Sequence, residues 1–68
     1  SMRYITVLDY ESGRVHQYNI SVDMKTSYDK RKWWAPDASI CEEYLTNKGH
    51  NLSNCEWMAH NNNHIIKE

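Results

Sequence analysis

Cys41, His50, Cys55, His60 and His64, grouped in the second half of the sequence, have the chemistry to ligate a metal, and the two thiols could attack a carbonyl. Thiolates and imidazoles are the usual zinc ligands, and a thiol beside an imidazole base is the simplest nucleophilic pair. The spacing argues against both uses. No two cysteines are separated by the two to four residues of a structural zinc knuckle, and there is no HExxH stretch. His60 and His64 could converge across a tight turn, but exposed histidines beside a polar turn explain them as well. A Cys41 or Cys55 nucleophile would need His50 or His60 as its base, and nothing in the spacing enforces that approach. Gly13 and Gly49 are the only glycines, each with a turn to account for it, so there is no phosphate-cradling loop. The expectation is therefore no enzyme, no cofactor and no metal.

A second group has binding chemistry. Tyr28, Lys30, Arg31, Lys32, Trp33 and Trp34 fall in a stretch, Lys25–Trp34, that holds four basic residues and one acid. Flat rings beside cations can stack on bases while neutralising phosphates, and the same residue types make hot spots in protein interfaces. In a plainer reading one tryptophan fills a gap beneath the helix and the cations are merely solvated. The formal net charge is −1, so no overall field draws the chain to nucleic acid. A protein partner is favoured, with nucleic acid as the alternative use of the same loop.

The elements that must position these groups can be read in order. Arg3–Tyr10 is rich in β-branched and aromatic residues with no breaker. Ile5 and Val7 fall on one side of it and Tyr4, Leu8 and Tyr10 on the other, as in a central strand. Glu11-Ser12-Gly13 is a hairpin turn, with Gly13 supplying positive φ. Arg14–Met24 alternates, sending Tyr18, Ile20, Val22 and Met24 to one face and Gln17, Asn19, Ser21 and Asp23 to the other.

The helix has the strongest local signals. Pro36 fits its first turn, Asp37 is a cap with Ser39 as competitor, and Ile40, Cys41, Tyr44 and Leu45 form one apolar stripe. Acids early and Lys48 late suit the helix dipole, Gly49 ends the helix, and Leu52 folds back onto its last turn. Cys55, Trp57 and Ala59 alternate with Glu56, Met58 and His60 as a third strand. Asn61–Asn63 is a turn and His64–Glu68 a short edge strand.

These pieces predict a single small α+β domain spanning residues 1–68, ββαβ(β), with one helix on one face of a three- or four-stranded, mainly antiparallel sheet. The order is 2-1-3 or 2-1-3-4, with a right-handed crossover. The other sheet face stays uncovered. Tyr4, Leu8, Tyr10, Trp57 and the Trp33–Trp34 pair cannot all fit beneath one helix, so some must meet solvent, a partner or a second copy in a homodimer. Two cysteines are too few for a disulfide framework, and both read as buried thiols. Ser1 reads as an addition before a natural start at Met2. No apolar run is long enough for a membrane span or signal peptide, which makes the cytosol the expected compartment.

Two blocks, YITVLDYESGRVHQYNI and CEEYLTNKGHNLSNCEWM, resemble small accessory proteins of tailed, T-even-like bacteriophages. The pattern YIxVxDYxxGxVxxY is carried here by Tyr4, Ile5, Val7, Asp9, Tyr10, Gly13, Val15 and Tyr18. The pattern KGHxLSNCxWM is carried by Lys48, Gly49, His50, Leu52, Ser53, Asn54, Cys55, Trp57 and Met58. The match covers about half of the chain and contains no catalytic signature. The resemblance implies a protein made in the cytoplasm of an infected bacterium, where it binds and inhibits a host enzyme or defence protein. The loop between the blocks, Lys30–Trp34, would then carry the specificity.

Overall fold

The computed structural model describes residues 3–21 and 37–68. Strand β1 (Tyr4–Asp9) and strand β2 (Arg14–Asn19) form an antiparallel hairpin. Helix α1 (Ala38–Asn47) follows, then a 3-10 turn (Leu52–Asn54) and strand β3 (Cys55–His60). The sheet order is β2-β1-β3, with both pairings antiparallel. This is the α+β arrangement expected from the periodicities, and β1 is central.

Alternation assigns the faces. Ile5 and Val7 are fully buried and stand opposite Tyr18 and His16 on β2, and opposite Ala59 and Trp57 on β3. With Ile20, Cys41, Leu45 and Cys55 they make the core, and Tyr18, Ile40, Tyr44, Leu52, Trp57 and Ala59 pack around it. Helix α1 contributes the expected stripe. Trp57 shares a face with Val7 and joins the core margin, while Tyr4 and Leu8 are left on the uncovered side. Removing the Leu45 side chain would leave a cavity costing about 2–5 kcal/mol.

The helix ends are set by local chemistry. Asp37 is the cap: its Oδ1 accepts from the Ile40 amide at 2.9 Å, and the Ser39 hydroxyl donates to it at 3.1 Å instead of competing. At the other end the Gly49 amide donates to Thr46 O at 3.0 Å and the His50 amide to Leu45 O at 3.1 Å. These are the two bonds of a Schellman stop, and Gly49 takes the φ of +95° that it requires. Glu42 and Glu43 fall beyond the first turn and Lys48 is the C-cap residue, so among the described residues Asp37 alone places a charge at the helix entry.

Three boundaries differ from the sequence expectation. Strand β2 ends at Asn19, where Asn19 Oδ1 accepts from the Ser21 amide at 3.2 Å and its hydroxyl at 2.6 Å, and residues 22–24, expected to continue it, lie outside the described residues. That side-chain turn moves Ile20 and Ser21 into helical geometry, while Ile20 stays buried as the alternation required. The hairpin turn spans Tyr10–Gly13, one residue more than expected, closed by a 2.8 Å bond from the Gly13 amide to Asp9 O.

His64–Glu68 is not a strand. Asn62 Oδ1 takes the His64 amide at 2.9 Å and Asn62 O takes a Gln17 Nε2 bond at 3.4 Å, which turns the tail away from the β3 edge. Among the described residues the sheet therefore has three strands. No described helix is long and apolar enough to cross a membrane.

Candidate functional site

Asp9 is the last residue of β1 and shares the parity of Ile5 and Val7, so its carboxylate points to the helix side. His16 and Tyr18 share the corresponding parity on β2. His50 comes directly after the Gly49 reversal, which swings its imidazole beneath the helix exit, where it is 7% exposed. Four side chains from three separate segments thus meet at one end of the core.

The contacts are short. His50 Nδ1 lies 2.8 Å from Asp9 Oδ2, and His50 Nε2 lies 2.6 Å from the Tyr18 hydroxyl. Neutral His50 satisfies both by donating from Nδ1 to the carboxylate and accepting the phenol proton at Nε2. The His16 and His50 rings meet edge to face at 4.8 Å, and the His16 ring lies parallel to that of Tyr18 at 6.1 Å. Among the described residues His16 is half-buried and has no hydrogen-bond partner. Lys48 Nζ sits 5.6 Å from the Tyr18 ring centre and 5.3 Å from that of Tyr44, within cation–π range.

Asp9 is the hub of this network. Its Oδ1 accepts the Glu11 amide at 3.0 Å and the Ser12 amide at 3.3 Å, so one carboxylate ties the hairpin turn to the helix exit. The His50 hydrogen bond holds the Asp9 carboxyl below the usual carboxylate range, reinforced by the Ser12 and Glu11 amides of the turn. Burial opposes that shift without reversing it. Burial, with the nearby Asp9 charge, pushes the Tyr18 phenol up. An Asp–His–Tyr chain resembles a charge-relay arrangement, but a phenol held neutral is a poor nucleophile at neutral pH.

On the opposite face of the sheet lie Tyr4, Thr6 and Leu8 of β1, Val15, Gln17 and Asn19 of β2, and Glu56, Met58 and His60 of β3. Leu8, Val15 and Met58 are 43%, 51% and 60% exposed. Along with Ile65 and Ile66 of the tail they line an open groove of about 430 Å³. A smaller groove of about 240 Å³ runs beside Leu8, Met58 and Trp57. A polar thread crosses this face. Thr6 Oγ1 meets His60 Nε2 and accepts from Gln17 Nε2, while the Asn62 amide donates to His60 Nδ1 at 3.2 Å.

Tyr28, Lys30, Arg31, Lys32, Trp33 and Trp34, the contact residues expected from the sequence, lie outside the described residues. The five candidate ligands do not converge. Cys41 and Cys55 are free thiols in the core, His50 is on the helix side, and His60 is on the open side. Burial pushes both thiols up, helped at Cys41 by Asp37 and Glu42 and at Cys55 by Asp9 and Glu11. Sequence reasoning named His50 but not Asp9, His16 or Tyr18 as its neighbours. The parity of Asp9 with Val7, and of His16 with Tyr18, was the available signal.

The chain matches no protein-family model, no curated protein and no solved structure.

Proposed function

We propose that this chain is a non-enzymatic protein-binding module that engages and inhibits a bacterial host or defence protein in the cytoplasm of a phage-infected cell. The supporting observation is the uncovered sheet face, where Leu8, Val15 and Met58 stand exposed on three adjacent strands. Side chains held by a rigid sheet lose little entropy on docking, so a few of them supply much of an affinity. The phage setting and the inhibitory role rest on the resemblance of the two sequence blocks. The Lys30–Trp34 loop enters the reading through its residue types alone.

Nucleic-acid binding through the same loop is the competing use. The open face offers it little, since its described strand positions include Glu56 and no lysine or arginine. The test is affinity capture from bacterial lysate, half of it nuclease-treated, with the intact chain and with Leu8→Glu/Met58→Glu as bait. A stoichiometric protein that survives nuclease and is lost with the double variant supports the reading. Recovery of nucleic acid alone, removed by nuclease, overturns it in favour of the stacking-loop account. A dimer that forms without any captured protein, and that the double variant dissolves, assigns the face to self-association instead.

A further inference from the structure

We propose that Asp9, His16 and His50 form a binding site for a zinc-class divalent ion, a site independent of the open sheet face. One ligand atom from each residue lies within 4.8 Å of the other two, and their side chains come from β1, β2 and the helix exit. Two imidazoles and a carboxylate are the borderline nitrogen–oxygen set that zinc favours, and three protein ligands leave one coordination position open.

The hydrogen bonds specify how the ion is received. Asp9 Oδ2 and His50 Nδ1 are 2.8 Å apart with one proton between them. Zinc bonds of about 2.0–2.1 Å at a tetrahedral angle separate neighbouring ligands by roughly 3.3 Å, so the ion replaces that proton after a half-ångström opening of the pair. His16 closes in from the side with its imidazole uncommitted among the described residues.

With Nδ1 on the metal, the proton displaced from it is taken up at Nε2 by exchange with solvent, and is donated to the Tyr18 oxygen across the existing 2.6 Å contact. A phenol serves either role, so the contact is kept with its direction reversed, and the hydroxyl proton of half-buried Tyr18 takes solvent as its new acceptor. An outer hydrogen bond that orients a ligating imidazole is the usual companion of a histidine metal site. Tyr18 is a positioning residue here: it selects the nitrogen that His50 presents. Sheet, turn and helix exit would be joined through the ion, so binding favours the folded state.

The experiment titrates the chelator-stripped full chain with zinc chloride and follows the histidine nitrogens by long-range proton–nitrogen NMR. Expected are saturation at one ion per chain and transfer of the His50 proton from Nδ1 to Nε2. The melting temperature should rise by roughly 10–20 °C when free zinc exceeds its dissociation constant about a hundredfold. His16→Ala and His16→Gln, which disturb no hydrogen bond among the described residues, should weaken binding by roughly tenfold or more. His64→Ala should leave it unchanged. Absence of saturable binding, affinity untouched by either His16 variant, or a His50 proton that stays on Nδ1 through saturation would each overturn the assignment.

Discussion

Asp9 and His50 are 41 residues apart in the chain and 2.8 Å apart in the fold, and this contact joins the hairpin turn to the end of the helix. It depends on two unrelated local events. The strand must end on the core-facing parity at Asp9, and the helix must end at Gly49 so that the next residue turns inward. Four predictions follow from the contact and its surroundings.

Tyr18→Phe removes the hydroxyl that occupies His50 Nε2 and little else. The ring packing against Tyr44, with centroids 5.7 Å apart, is retained. A buried imidazole nitrogen then lacks its partner, at a cost of about 1–3 kcal/mol. Urea unfolding should show a lowered midpoint with an unchanged slope. A midpoint equal to that of the parent chain would mean that the hydrogen bond contributes nothing net.

Acid should weaken the metal-free protein through Asp9. Its folded-state pKa is depressed, so its contribution is complete above the unfolded value of about 3.9 and disappears as pH falls through the lower folded value. Asp9→Asn keeps an acceptor but not the charge. With chelator present, stability measured from pH 6 downward should fall less steeply below about pH 4 in this variant. Parallel acid limbs would assign the acid sensitivity to other carboxylates.

The two internal histidines should be opposite tautomers. His50 gives its Nδ1 proton to Asp9, whereas His60 accepts the Asn62 amide at Nδ1 and therefore carries its proton on Nε2, facing Thr6. Nitrogen chemical shifts of the zinc-free protein near neutral pH read this directly. Finding the same tautomer at both sites would contradict one of these networks.

Cys41 and Cys55 should react slowly with a thiol reagent at pH 8. Burial raises both groups, so the nucleophilic thiolate is scarce in the folded protein. A raised folded-state value contributes stability that is present below the unfolded value of about 8.5 and is lost as pH rises through the folded one. Labelling should accelerate in urea in step with unfolding, and stability should decline on the alkaline side. Rapid labelling of both thiols without denaturant would place them outside the core.

Much of the architecture was determined by the sequence alone, because the rules that govern it act over a few neighbouring residues. Asp37 and Gly49 bound the helix through hydrogen bonds spanning three to five positions. Alternation placed Ile5, Val7, Tyr18 and Ile20 on one side, and a helical stripe placed Cys41 and Leu45 over them. The same kind of reading misjudged the end of β2 and the tail. At the end of β2 the Asn19 side chain competes locally with the strand ladder, while the tail is also held by Gln17 from a distant part of the chain.

The candidate site belongs to the tertiary structure. Asp9, His16, Tyr18 and His50 are each ordinary in their own segment, and no local spacing links them. The antiparallel register sets Val7 opposite His16 and Ile5 opposite Tyr18, aligning strand parities across β1 and β2. The helix then returns the chain by a left-handed glycine to deliver His50 against them. The helix exit is fixed locally, but the register and the seating of the helix on the sheet are long-range outcomes of burying one apolar face, so the meeting point appears only when the whole chain has folded.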